Sequence, residues 1–564
     1  MRATWILVLG AMFAAGAAFA DEAAPKGKDP AAAKPPSAKS EPLKPEERTS
    51  EGSVTVAGSR IDYRAVAGNL VVHPKGWDDA AREPGRDDQQ NRNQPGGASG
   101  EQNPTAEASM FYVAYFAKGT AAEARPLTFL YNGGPGSSTI WLHMGAFGPR
   151  RVVTADDAHS PAAPYAIGNN DQSLLDASDL VFVDAPGTGF SRISGKDKEK
   201  AFYGVDADAF AFAEFITEFL SKHSRWNSPK YLFGESYGTT RSAALIRLLE
   251  TDRHVDFNGV MLLGQILNFN ISTEIPQFDP GVDLPYQLAL PTYAATAWYH
   301  HKLASDRGDL QSFLAEVEHF ATTDYAQALQ AGATLDPAQR DAVASKLHEY
   351  TGLPVEYIKK ADLRVNSGEF RKTLQDDGDM TTGRYTTTIS GPTMEPLSKE
   401  AEYDPFVAAI SSAFVSAFND YVRKTLNYDT DAHKTYKSTI SVDWNWQHQP
   451  PNFPRPLRQA ANVMPDLAWA MKYNPSLKVQ LNAGYFDLAT PFYRGVYEMR
   501  HLPMPAKLQA NIEYRFYQSG HMAYVREAAL KELHENVAAF IRATGHLAAA
   551  AADSRHAEDV KRQD

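Results

Sequence analysis

The chain has 564 residues, 43% of them hydrophobic and 11% aromatic, so one large domain with insertions, or two to three domains, can bury a sizeable core. Its net charge of −12 comes from mixed acids and bases with no basic stripe, which argues against a nucleic-acid-binding protein. The absence of cysteine excludes disulfide scaffolds, thiolate nucleophiles, cysteine metal sites and a lipoprotein cysteine.

The first residues, MRATWILVLGAMFAAGAAFA, carry one early Arg, a short apolar stretch and Ala18-Phe19-Ala20 before Asp21. They are expected to be a secretory signal at 1–20, leaving no integral membrane segment after cleavage and a protein that is periplasmic or secreted. Residues 21–52 are rich in Pro, Ala and Lys, bury almost nothing, and are expected to form a disordered spacer. Folded patterning starts with SVTVAGSRIDYRAVAGNLVVH, read as short antiparallel strands. A polar tract, Arg82 to Ser109, is expected to be a long loop before the strand MFYVAYFA.

Apolar runs then alternate with helical stretches. Strands are expected at 126–132, 179–185, 230–236, 258–266, 478–484 and 513–520, and helices at 206–223 and 239–252. Continuous rather than alternating apolar strands fit a sheet covered on both faces. The alternation predicts an α/β fold with a mostly parallel central sheet. Its two parts are expected at 53–269 and 446–545, split by a mostly helical insertion at 270–445, with a disordered tail at 546–564.

Gly234-Glu235-Ser236-Tyr237-Gly238 fits G-x-S-x-G, with an apolar strand before it and an amphipathic helix after it. A serine hydroxyl needs a base, and the base needs an orienting acid, in the chain order Ser, Asp or Glu, His. Downstream, Asp487 follows the strand KVQLNAG and His521 follows the last strand after Ser519-Gly520. An oxyanion needs fixed donors. One is the N–H of Tyr237, and the second is expected from Asn132-Gly133-Gly134-Pro135-Gly136, where Gly134 N–H is the candidate. The histidines His300 and His301 are adjacent and do not share a helix face, and no H-E-x-x-H occurs, so no metal or other cofactor is expected.

Together NGGPGSS, VDAPGTGFS, GESYG, the Asp487 segment and SGHM resemble the serine carboxypeptidases, a family of α/β-hydrolase fold with a cap insertion. The resemblance covers about 110–268 and 440–540. It implies Ser236 as nucleophile, His521 as base and Asp487 as its partner, with Gly134 and Tyr237 as the oxyanion hole. It also implies a peptide or protein substrate whose terminal carboxylate meets Asn132, Gly133 and Glu235, the last sharing a proton with a second glutamate. An ungapped alignment of NGGPGSSTIWLHMGAFGP puts Ala146 at that second position. Alanine donates no hydrogen bond, so recognition is weaker or uses another group; His143 and Arg150 lie nearby in sequence. The competing reading is an esterase, amidase or acyltransferase built on the same acyl-enzyme.

Overall fold

The structure, a computed structural model, describes residues 43–78 and 104–545. The expected leader, most of the expected spacer, most of the polar tract and the expected tail lie outside the described residues. Strands β1 Glu46–Val56, β2 Ser59–Val72 and β3 Glu107–Ala117 run antiparallel in turn, followed by β4 Leu127–Tyr131. A small separate hairpin, β5 Arg150–Val152 with β6 Ile167–Asn169, comes next. Then come β7 Asp179–Val183, β8 Arg192–Ser194, β9 Lys230–Glu235 and β10 Gly259–Leu263. After a second hairpin, β11 Met380–Thr382 with β12 Ser390–Pro392, the chain returns for β13 Lys478–Gly484 and β14 Ile512–Tyr517.

The central sheet has ten strands in the order β1-β2-β3-β7-β4-β9-β10-β13-β14, with β8 alongside β3. From β7 to β14 every neighbouring pair is parallel. The crossovers include helices Val205–Lys222, Tyr237–Thr251 and Phe492–Arg500, and helix Glu527–Thr544 closes the described fold. The apolar runs are explained by two cores, one on each face. Along β10, Val260 and Leu262 enter one core while Met261 and Leu263 enter the other. Every position of such a strand is buried, so no polar alternation survives in the sequence.

Two expected boundaries need correction. The spacer was expected to reach residue 52, but β1 begins at Glu46 and pairs with β2 from Glu46↔Asn69 onward. An edge strand needs only one neighbour's backbone ladder, so it forms without apolar side chains. Its acids are also partnered: Glu46 accepts from Tyr428 Oη at 2.8 Å, and Glu47 pairs with Lys222 at 3.0 Å. Likewise, Glu107 to Ser109 belong to β3 rather than to the polar loop.

Between β10 and β13 the chain is predominantly helical, with Leu284–Tyr299, Leu310–Thr322, Pro337–Thr351 and Pro405–Lys424 as the long elements. Helix Pro405–Lys424 starts where Asp404 caps the Phe406 N–H and Pro405 occupies the first turn. Its Phe406, Phe414 and Phe418 share one core with Trp141 and with Phe233 of β9, so this helix is continuous with the packing under the sheet. Among the described residues, no helix is long and apolar enough to cross a membrane.

Candidate active site

All six residues of β9 are buried, and the strand ends at Glu235. Ser236 follows with φ 59° and ψ −128°, outside the regions favoured by side-chain-bearing residues, and helix Tyr237–Thr251 starts immediately after it. Such a backbone costs about 1–3 kcal/mol and persists because its surroundings enforce it. The Ser236 N–H donates to the Leu263 carbonyl at 2.9 Å, and the Ser236 carbonyl accepts from Thr239 N–H at 2.8 Å. The flanking glycines are sterically required. A Cβ on Gly234 would lie 2.3 Å from the Gly238 carbonyl oxygen. Ser236 remains half-buried among fully buried neighbours.

The structure brings Asp487 and His521 together. Asp487 Oδ1 accepts the N–H groups of Ala489 at 2.8 Å and Thr490 at 2.9 Å. Its Oδ2 accepts the Thr490 hydroxyl at 2.6 Å and meets His521 Nδ1 at 2.7 Å. Burial pulls the His521 pKa down, but the Asp487 charge and hydrogen bond more than offset this and hold it above the ordinary histidine value. Engagement of Nδ1 by a carboxylate leaves Nε2 as the basic nitrogen. That Nε2 is buried and has no hydrogen-bond partner among the described residues. The imidazole borders the serine turn through Gly264, which follows the carbonyl that holds Ser236. A Cβ there would stand 2.7 Å from His521 Nδ1.

Sequence reasoning missed a further contact on this ring. Tyr385, from the segment between β11 and β12, stacks on it with centroids 4.9 Å apart, and the Tyr385 carbonyl accepts the His521 N–H at 2.6 Å. Nothing local marks Tyr385, because its partner is set by the tertiary fold.

The glycine loop lies directly against the start of the helix. A Cβ on Gly133 would sit 2.4 Å from Tyr237 N and 2.7 Å from Gly238 N. Gly134 has φ +105°, which a side chain would disfavour. Its N–H donates no hydrogen bond among the described residues. Tyr237 opens the helix, so its N–H has no intrahelical acceptor. The loop is anchored at Asn132, whose Oδ1 accepts the Leu142 N–H at 3.0 Å and whose carbonyl accepts Arg241 Nη1 at 2.8 Å. Arg241 is locked by Asp208 at 2.7 Å, with both side chains fully buried. This anchor also went unseen in the sequence. Gly133→Ala is expected to lower kcat/KM on the order of a hundred-fold, since the added methyl displaces the Tyr237 amide. Steady-state kinetics of the folded variant check this.

Glu235 is buried, and burial pushes its carboxyl up to about 7; His521, Tyr524 and Asn132 limit the rise. Its Oε2 accepts the Tyr524 hydroxyl at 2.8 Å. His143 and Arg150 do not reach it. His143 bonds Tyr115 Oη at 2.7 Å and stacks on Phe182, and burial pulls its pKa down to about 3. Arg150 points to the Ser53 carbonyl at 3.5 Å.

The parallel sheet, its crossover helices and the serine on a sharp strand-to-helix turn define a protein of the α/β-hydrolase class. The sequence profile described as serine carboxypeptidase matches residues 84–556, and the chain belongs to that family of serine-type peptidases. A serine carboxypeptidase-like protein of Oryza sativa subsp. japonica is 31% identical over 136 residues, 24% of this chain and only 29% of that protein's length. Among solved structures, the prohormone-processing carboxypeptidase Kex1(Δ)p from Saccharomyces cerevisiae aligns at 15% identity and TM-score 0.46, covering 84% of this chain and 91% of that one. A proline iminopeptidase from Mycobacterium smegmatis aligns at 12% identity and TM-score 0.33, covering 89% and 100%.

Proposed function

We propose that the protein is an exported serine carboxypeptidase that removes C-terminal residues through an acyl-enzyme. Ser236 Oγ attacks the scissile carbonyl carbon while His521 Nε2 takes its proton. Asp487 keeps the imidazole oriented and stabilises the imidazolium. The carbonyl electron pair moves onto oxygen, where the Gly134 and Tyr237 N–H groups donate to it. Collapse expels the C-terminal amino acid, whose nitrogen takes the proton from His521. Water then repeats the sequence on the ester, releasing the shortened peptide and restoring Ser236. Asn132, Gly133 and Glu235 bind the substrate's terminal carboxylate. The segment at 270–445 acts as a cap beside the catalytic groups, contributing Tyr385. Export to the periplasm or the exterior is supported by the leader-like composition of residues 1–20.

One observation favours an exopeptidase over a general esterase: Glu235, next to the serine, is buried against the Tyr524 hydroxyl, and burial pushes its carboxyl up to about 7, so it keeps its proton below that pH. A protonated carboxyl can donate to a substrate carboxylate, whereas an ordinary ionised glutamate repels it. Mass spectrometry of peptide mixtures is expected to show stepwise loss of C-terminal residues from free acids. Amidated peptides should be cleaved on the order of a hundred-fold more slowly, since charge-assisted hydrogen bonds are lost. Equal cleavage of both sets would overturn the assignment. Ala146 favours the second reading, an esterase or amidase on the same triad. Faster turnover of short acyl esters than of blocked dipeptides with a free carboxylate would select it.

A further inference from the structure

Glu235 has a partner that the family pattern does not supply. Where the resemblance expects a second glutamate, this chain has Ala146, fully buried in the helical turn Leu142–Phe147. Beside it, Gly145 faces the Tyr524 ring, and a Cβ there would stand 2.8 Å from Tyr524 Cε2. Small residues at 145 and 146 thus accompany a large aromatic at 524. The Tyr524 ring is completely buried and its hydroxyl donates to Glu235 Oε2 at 2.8 Å. Tyr524 sits three residues after His521, so one loop carries both the imidazole and this phenol.

We propose that Tyr524 is a positioning residue for Glu235, donating permanently to Oε2 and thereby leaving the carboxyl proton on Oε1, the oxygen that meets the substrate's terminal carboxylate. This rests on the reading of the site as a carboxypeptidase site. A second carboxyl can either donate or accept, so it leaves the shared proton free to sit on either group. A buried phenol beside a carboxylate keeps its own proton, because burial first and the Glu235 charge second push its pKa well above the ordinary tyrosine value. Its hydrogen therefore always points to Oε2. The other groups acting on Glu235 are His521, which favours its ionised form, Asn132, whose side chain does the same, and Asp487, which opposes it. Once Glu235 ionises, both its oxygens only accept, and a terminal carboxylate is repelled.

The sign of the pH effect follows. For free-acid peptides, kcat/KM falls as pH rises through about 7, where Glu235 loses its proton. The opposite limb belongs to His521, which must be neutral to accept the serine proton. A donor to Oε2 stabilises the carboxylate, so removing it raises the Glu235 pKa.

The test is the pH profile of the full chain on peptides with free and amidated termini. Tyr524→Phe is expected to move the high-pH limb upward by about one to two units for free acids. At low pH the same variant raises KM about tenfold, the size of one hydrogen bond, with kcat nearly unchanged. In a Glu235→Ala background, where the Tyr524 hydroxyl has no side-chain oxygen to hold, adding Tyr524→Phe leaves KM where it was. Replacing Tyr524 by 3-fluorotyrosine strengthens the donor without changing its shape and moves the limb downward, which decides the matter should Tyr524→Phe fail to fold. Limbs that coincide with wild type in both variants overturn the proposal, as does an equal KM increase in the Glu235→Ala background. These failures are distinct from failure of the function itself, in which the wild-type enzyme does not discriminate free from amidated termini.

Discussion

Ser236→Ala is expected to lower kcat by about a million-fold, the loss seen when the nucleophile is removed from a triad that acts as a unit. The variant should also lose covalent labelling by a serine-reactive phosphonate. The expectation follows from the geometry of His521. Its Nε2 is buried and unpartnered, so the base is poised for one proton donor, and no other hydroxyl engages that nitrogen among the described residues. The Thr490 hydroxyl sits on the Nδ1 side at 3.1 Å, where Asp487 already holds it. Ser236→Gly should be equally inactive yet more stable. The strain at φ 59° is removed when the side chain goes, returning about 1–3 kcal/mol. Alanine keeps the Cβ and therefore the strain. Activity and labelling within tenfold of wild type in Ser236→Ala would rule this serine out as the nucleophile. A melting midpoint of Ser236→Gly below that of Ser236→Ala would show that the turn is not strained.

The strands were legible because burial on both faces leaves long apolar runs, and β4, β7, β9, β10, β13 and β14 each fall on or within one residue of an expected run. The serine turn was legible because its steric requirement is local: two glycines within five residues, between a strand and a helix. Asp487 and His521 were found by chain order and by their positions at strand ends. The supports of these groups escaped notice for one physical reason. Tyr524 reaches Glu235 across 289 residues of sequence, and Arg241 reaches the Asn132 carbonyl across 109. Contacts of that range leave no periodicity, and a tyrosine or arginine on a buried helix or loop reads as ordinary composition. The early start of β1 was hidden for a different reason, since an edge strand is held by backbone pairing and ion pairs that composition does not reveal.

Arg241→Met is expected to destabilise the fold by about 3–5 kcal/mol at neutral pH, the usual result of stripping one partner from a buried ion pair. Arg241 Nε and Nη2 both donate to Asp208, at 2.7 and 3.2 Å, and its guanidinium lies 4.3 Å from the Phe212 ring centroid. Burial already raises the Asp208 pKa, and the Arg241 charge is the main opposing influence. Without it, the carboxyl rises further and prefers to be neutral in the folded state. A raised folded pKa means that the contribution is present below the unfolded aspartate value and is lost as pH rises. The deficit of Arg241→Met should therefore be smallest near pH 4 and grow toward neutrality, as read by urea denaturation across that range. The double variant Asp208→Leu with Arg241→Met replaces both charges by apolar groups and should recover most of the lost stability. It should not recover turnover. The Asn132 carbonyl still lacks its donor, and the glycine loop beside Ser236 is no longer tied to the helix that follows the serine. Stability and activity thus separate in the double variant. A double variant no more stable than Arg241→Met would show that the unpaired Asp208 charge is not what weakens the core, and one with full kcat/KM would show that Arg241 does not place the loop.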